Sequence, residues 1–202
     1  NKRLISKEKG TTEAQFSPDF NFFISIYSHA NQMYINSIQN NKGELIKMLE
    51  ENKEKNLMIK SKDIPQKEFF EFKSSSGKKL NFWMIKPQNF NENKSYPVLL
   101  DIYCGPGIQT VLDSWSYESL WHRMLAQKGF IVISIDTRGT GARGSDFEKE
   151  VYLELGVKEN IDLQEFSHYL AKQKYIDSEN IMIKGWSYGG FMVLKATSSE
   201  GN

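Results

Sequence analysis

The residues Gly185-Trp186-Ser187-Tyr188-Gly189 read Gly-x-Ser-x-Gly, directly after the short apolar run Ile181-Met182-Ile183. A serine in that pattern, between a strand and a helix, stands on a strained turn that pushes its hydroxyl into the open, where it can attack a carbonyl carbon. The glycines suit such a turn because backbone passes close to backbone and leaves no room for Cβ atoms. The same pattern also occurs as a buried tight turn, so its setting has to decide. Acyl transfer needs donors aimed at the oxygen that becomes negative in the tetrahedral intermediate. One donor in an elbow of this kind is the backbone N–H after the nucleophile, here that of Tyr188, and another comes from a loop after an earlier strand. Tyr103-Cys104-Gly105-Pro106-Gly107 follows the apolar run Val98-Leu99-Leu100-Asp101-Ile102 and can supply that loop. Tyr103 at a strand end is otherwise a packing residue.

A serine hydroxyl is a poor nucleophile without a base to take its proton. In elbow enzymes the chain order is Ser, then Asp or Glu, then His. His29, His122 and His168 all precede Ser187, and the only acid after it is Glu200, thirteen residues on. The expectation is a nucleophile with oxyanion donors whose triad Asp and His lie beyond Asn202. The 202-residue chain alone is then expected to do no triad-dependent chemistry.

A second glycine pattern competes. Gly139-Thr140-Gly141-Ala142-Arg143-Gly144 is a literal Gly-x-Gly-x-x-Gly after a strand, which elsewhere cradles a pyrophosphate at a helix N-terminus. A dinucleotide fold places those glycines at the tight turn after its first strand, with an acid ending the next strand. Here Asp136-Thr137-Arg138 intervenes, and the acid at the right distance, Glu165, falls inside a helical pattern. A glycine-rich surface loop is the expected role. The site is expected to need no cofactor and no metal.

The elements that would position these residues follow from periodicity. Phe20 to Tyr27 alternates with period two, Met33 to Ile38 gives a second strand, and Asn40-Asn41-Lys42-Gly43 turns into a third over Glu44 to Leu49. Three short strands with tight turns match one propeller blade or one hairpin-rich sheet. Residues 50–64, dense in Lys, Glu and Asn, read as a solvated linker or surface helix, and Pro65 marks a boundary. Glu68 to Lys73 and Leu80 to Lys86 flank a turn. Then come a covered strand ending at Tyr103, a helix over 116–128, a covered strand at Phe130 to Ile135, and a short helix opened by the capping box Ser145-Asp146-Phe147-Glu148. Leu163, Phe166 and Leu170 stripe a further helix, and Ile181 to Ile183 is a third covered strand. Strand and helix alternating in this way predict an α/β fold with a parallel sheet.

Whole-chain properties exclude several classes of function. With 26 basic and 25 acidic residues the net charge is +1, so nucleic acid is not suggested as a partner. The single Cys104 cannot form a disulfide within the chain. No apolar run approaches the roughly 20 residues of a membrane span. A start at Asn1, without Met or a signal sequence, suggests a piece of something longer.

Tyr-x-Gly-Pro from Tyr103, Asp136-x-Arg138-Gly139-x-Gly141, and Gly-Trp-Ser-Tyr-Gly-Gly at the elbow together resemble the dipeptidyl peptidase IV branch of the prolyl oligopeptidase family, its bacterial members above all. Gln15-Phe16-Ser17-Pro18-Asp19 and the strands after it resemble that family's last propeller blade. Asn81 to Pro87 and Tyr96 to Leu100 resemble its entry into the hydrolase domain. The resemblance implies residues 1–64 as the end of a β-propeller with its linker, and 65–202 as the first half of an α/β-hydrolase domain. It implies removal of N-terminal dipeptides from peptide substrates with Pro or Ala second, Ser187 as nucleophile, and the Tyr103 hydroxyl and Tyr188 N–H as oxyanion donors. A homodimer of the full-length protein and a periplasmic or cell-envelope location are implied by the resemblance alone. Lys184, in the strand before the elbow, departs from the family pattern. The other readings are a different α/β-hydrolase, such as an esterase or acylaminoacyl-type peptidase, and a catalytically inactive truncated product.

Overall fold

The structure is a computed structural model and describes residues 3–61 and 63–198. Glu200 lies outside the described residues. The chain divides into two compact units, residues 1–64 with 112–120, and residues 65–111 with 121–202.

The first unit is an antiparallel sheet in the order β1-β2-β3-β4, formed by β1 (Thr11–Phe16), β2 (Phe22–His29), β3 (Gln32–Asn40) and β4 (Leu45–Glu50). This is one strand more than the sequence suggests. Thr-Thr-Glu-Ala-Gln-Phe lacks apolar alternation and is a strand because all six residues pair with β2. The turn into β2 is built by Ser17, whose N–H donates to the Phe22 carbonyl (2.9 Å), and by Asp19, which accepts from the Ser17 hydroxyl (2.6 Å). Within β2 the alternation holds, with Phe23 and Ser25 on the buried side while Phe22 and Ile24 are exposed. The polar stretch after β4 contains a helix, α1 (Lys53–Ile59), tied down where Asn56 Oδ1 accepts the Met33 N–H (2.7 Å). The segment 112–120 belongs to this unit through specific bonds. Asp113 Oδ1 accepts the Ala30 N–H (2.9 Å), the Trp115 N–H donates to Ser28 Oγ (3.1 Å), and the Tyr34 hydroxyl donates to the Trp115 carbonyl (2.8 Å).

The second unit is α/β, as the sequence predicts, but its sheet is mixed rather than wholly parallel. β5 (Lys67–Lys73), β6 (Lys79–Ile85), β7 (Tyr96–Ile102), β8 (Ile131–Ile135) and β9 (Ile176–Gly185) lie in the order β5-β6-β8-β7-β9. The hairpin β5–β6 joins antiparallel to β8, while β7 runs parallel to β8 and β9. The helices are α2 (Ser119–Gln127), α3 (Ser145–Glu148), α4 (Lys158–Ala171) and α5 (Tyr188–Ser198). β8 is buried at every position, as its unbroken Ile-Val-Ile-Ser-Ile run requires of a strand covered on both faces. Leu163, Phe166 and Leu170 of α4 pack with Leu80, Phe82 and Ile133 in one core. Burial of each such side chain is worth about 1.5–3 kcal/mol.

Two local expectations need correction. Ser145 does not cap α3. Gly144, at φ 89°, is the capping residue, no side chain bonds the helix end, and the Glu148 N–H donates to the Gly144 carbonyl (3.2 Å). β9 is not a covered strand either, since Met182 is exposed and Ile181 and Ile183 are half-buried. It is the last strand of the sheet among the described residues, with β7 as its one strand neighbour.

Candidate active site

Ser187 lies between β9 and α5, exposed, with φ at 55° in the left-handed region that non-glycine residues rarely adopt. Holding a serine there costs about 1–3 kcal/mol, so the surroundings must enforce it. They do so by close packing. A Cβ on Gly185 would lie 2.4 Å from the Gly189 carbonyl carbon, and one on Gly189 would lie 2.3 Å from the Ile102 oxygen. The start of α5 is thus pressed against the end of β7, and no other residue type fits at either glycine. The Phe191 N–H donates to the Ser187 carbonyl (3.1 Å) and closes the first turn of the helix. The positive end of the α5 dipole therefore stands at Ser187.

The same contact brings Tyr103 alongside. Ile102 pairs with Gly185 in parallel register, so the loop after β7 leaves the sheet at the level of the elbow. Cys104, at φ 60°, reverses the chain, and the Tyr103 ring folds over Gly105, where a Cβ would meet its Cε1 at 2.3 Å. The Tyr103 and Tyr188 ring centroids are 6.3 Å apart. The structure thus brings Ser187, Tyr188 and Tyr103 together from two adjacent strand ends.

The first half of the glycine-rich stretch 139–144 packs against this loop and is not at the surface, while Ala142 and Gly144 are exposed as a surface loop would be. Thr137, Arg138, Gly139, Thr140 and Gly141 are all buried. The Gly107 N–H donates to the Gly139 carbonyl (3.0 Å), and a Cβ on Gly141 would lie 2.4 Å from the Gly107 oxygen. The Gly139 N–H is already spent on the Phe147 carbonyl (3.2 Å) rather than held out for a phosphate. The flanking charges serve the same scaffold. Asp136 accepts the N–H groups of Thr110 (2.8 Å) and Val111 (3.1 Å), and Arg138 grips the fully buried Asp162 through Nε (2.9 Å) and Nη2 (2.7 Å).

Two interactions near the elbow have no counterpart in the sequence reading. The Tyr188 hydroxyl donates to Glu159 Oε1 (2.8 Å), and the Gly156 N–H donates to Glu159 Oε2 (3.0 Å), with Glu159 wholly buried in the first turn of α4. Burial raises the Tyr188 hydroxyl's pKa well above its ordinary value, and the Glu159 carboxylate adds to the rise. Lys184 pairs with Asp101 (3.0 Å) and lies over the Trp121 ring (4.8 Å), while His122 Nε2 meets the other Asp101 oxygen (2.7 Å). An acid after a Gly at a helix start was the only signal for Glu159, and such acids are common on exposed helix ends. Among the described residues no histidine hydrogen-bonds to Ser187. His122 is held by Asp101, His29 Nδ1 accepts the Asn31 N–H (3.1 Å), and His168 sits in the last turn of α4. No helix among the described residues is long and apolar enough to cross a membrane.

Comparison with known proteins shows what the chain is similar to. The profile of the prolyl oligopeptidase family matches residues 115–202. Dipeptidyl peptidase 4 of Trichophyton equinum is 33% identical over 198 residues, covering 96% of this chain and 25% of that protein. Dipeptidyl peptidase 4 of Arthroderma otae is 31% identical over the same length and shares. The crystal structure of Porphyromonas gingivalis dipeptidyl peptidase 4 superposes with a TM-score of 0.87 at 37% identity, over 95% of this chain and 27% of that one. The chain spans about a quarter of the length of the curated relatives it matches. The family profile over residues 115–202, the similarity to dipeptidyl peptidases 4 and the superposition on a bacterial dipeptidyl peptidase 4 together support placing the chain in the dipeptidyl peptidase IV branch of the prolyl oligopeptidase family.

Proposed function

We propose that this protein is a serine exopeptidase that releases N-terminal dipeptides, with Pro or Ala in second position, through an acyl-enzyme. In this reading residues 65–202 form the first half of an α/β-hydrolase domain, and 1–64 end a β-propeller and link it to that domain. The observation that carries the proposal is Ser187 at φ 55° on an exposed strand-to-helix turn, packed glycine to backbone against the strand end that bears Tyr103. Ser187 Oγ attacks the carbonyl carbon of the second residue and its proton passes to a general base. The tetrahedral oxyanion accepts from the Tyr188 N–H and the Tyr103 hydroxyl. Collapse breaks the C–N bond, the amine leaves with the proton, and water then hydrolyses the acyl ester. The position of Tyr103, one residue beyond β7 and beside the elbow, favours its hydroxyl as the second donor.

His122 is committed to Asp101, and none of the histidines bonds Ser187, so we infer that the 202-residue chain alone lacks an effective base and is inactive. The test assays the full-length gene product, and separately this chain, with a Gly-Pro chromogenic substrate and a fluorophosphonate probe. The expected result is dipeptide release by the full-length protein, abolished by Ser187→Ala, and no rapid labelling of the chain alone. Hydrolysis of simple esters without dipeptide release would assign a different α/β-hydrolase. Rapid labelling of Ser187 in the isolated chain would overturn its inactivity.

A further inference from the structure

We propose that Glu159 is a positioning residue for the oxyanion hole, a buried carboxylate clamp that fixes the Tyr188 N–H by holding the far end of the Tyr188 side chain. This rests on the peptidase reading above. The peptide plane that carries the Tyr188 N–H joins Tyr188 to Ser187, and Ser187 is in the strained left-handed region. A plane next to a strained residue relaxes by rotating, and a small rotation moves the N–H off the oxyanion. Three features of the structure resist that rotation. Gly189 is wedged against the Ile102 carbonyl, which fixes the chain on one side of Tyr188. The Tyr188 ring packs edge-on against Phe191 one turn along α5 (5.3 Å between centroids). Finally, the phenol ends on Glu159 Oε1 at 2.8 Å.

Glu159 is itself immobilised. It is fully buried, its second oxygen is taken by the Gly156 N–H, and the positive end of α4 favours its charge. Gly156, at φ 77°, packs against α5, because a Cβ there would lie 2.6 Å from the Phe191 ring. One carboxylate thus joins the turn before α4 to the first residue of α5. A buried carboxylate is costly unless its oxygens are satisfied, and Tyr188 and Gly156 each supply one hydrogen bond to them. That cost works against any movement that would separate them.

The test uses the full-length gene product, with fluorophosphonate labelling rate and kcat and KM on a Gly-Pro substrate as readouts. Tyr188→Phe keeps the ring and the backbone N–H and removes only the hydroxyl. Glu159→Gln removes the charge. Each is expected to lower kcat and the labelling rate about tenfold or more while KM stays within about twofold, the signature of an interaction made in the transition state. The double variant is expected to be no slower than the slower single variant, because both changes break one hydrogen bond. Unchanged kcat in Tyr188→Phe overturns the clamp, as do losses that multiply in the double variant. If Glu159→Gln fails to fold, the kcat and labelling rate of Tyr188→Phe decide alone. A wild-type protein inert to substrate and probe, or one still active after Ser187→Ala, refutes the peptidase reading itself. Activity lost in Ser187→Ala but kept in Tyr188→Phe refutes only the clamp.

Discussion

Asp101 of β7 and Lys184 of β9 stand opposite each other in the parallel pair, joined at 3.0 Å, two residues before Tyr103 and three before Ser187. The pair ties together the two strands whose ends carry the candidate site. His122 completes it from α2 on the other carboxylate oxygen. The two bonds differ in setting, since the His122 side chain is 3% exposed and that of Lys184 is 40% exposed.

Lys184→Met is expected to cost less than about 1 kcal/mol, because a half-exposed ion pair is screened by solvent. Asp101→Asn, which also weakens the buried bond to His122, is expected to cost about 1.5–3 kcal/mol. Urea denaturation of both variants checks the order, and a larger loss from Lys184→Met reverses it.

The pH dependence of that difference has a definite sign. Burial raises the Asp101 pKa, but the hydrogen bonds from His122 and Lys184 and their charges outweigh it and hold the group below its ordinary value. A depressed carboxylate stabilises the fold above its unfolded pKa of about 3.9, and that contribution fades as pH falls through the lower folded value. The stability gap between wild type and Asp101→Asn is therefore expected to be full at neutral pH and to shrink below about pH 4. A gap that widens on acidification contradicts the assignment.

Adjacent glycines in α5 should respond oppositely. Gly189→Ala drives a methyl to 2.3 Å from the Ile102 oxygen and is expected to cost about 1–3 kcal/mol or more, with loss of Ser187 labelling in the full-length protein. Gly190→Ala meets nothing closer than the Gly185 oxygen at 3.6 Å and is expected to be neutral or to stabilise by about 0.5–1 kcal/mol. Thermal melts of the two variants give the comparison.

Arg138 and Asp162 form a buried bidentate pair beneath the glycine-rich loop. Removing one partner leaves a buried charge, so Arg138→Met is expected to cost about 3–5 kcal/mol. The double variant Arg138→Met with Asp162→Leu is expected to recover much of that loss. Equal stability of the single and double variants by denaturant titration counts against the pair.

Cys104 is 1% exposed, and burial pushes its thiol pKa up to about 12. It should stay unreactive toward a disulfide reagent at pH 8 in the native protein and react at once on denaturation. Fast native labelling would show that the Tyr103 loop opens.

The elbow was legible in the sequence because only glycine tolerates the backbone approaches at 185 and 189, and those demands leave letters in fixed places. β8 was legible because a strand covered on both faces needs a long apolar run, and β7 because its apolar residues follow one another although only Val98, Leu100 and Ile102 are fully buried. β1 was not, since Thr11 to Phe16 pair along their whole length without alternating in hydropathy. The stretch Gly139 to Gly144 matched a phosphate-loop pattern for a physical reason. Glycines that let backbone approach a phosphate are the same residues that let it approach Gly107. Glu159 and Asp101 were silent because a buried acid differs from a surface acid only in what lies across the fold. Lys184 drew notice as an oddity, and its partner appeared only when β7 and β9 were set side by side.

The segment 112–120 has a bearing on how the protein can be cut. The chain passes between the two units at 64/65, again at 111/112 and again at 120/121. A protease nick near residue 62 would cut residues 1–62 from the chain, while the first unit's own segment 112–120 stayed covalently attached to the second unit at both its ends. Residues 65–202 expressed alone would carry Trp115, 5% exposed here, without Ser28 and Tyr34, which hold its backbone. A stable piece carrying Ser187 would need that excursion shortened to a plain turn, not merely a new N-terminus at Pro65.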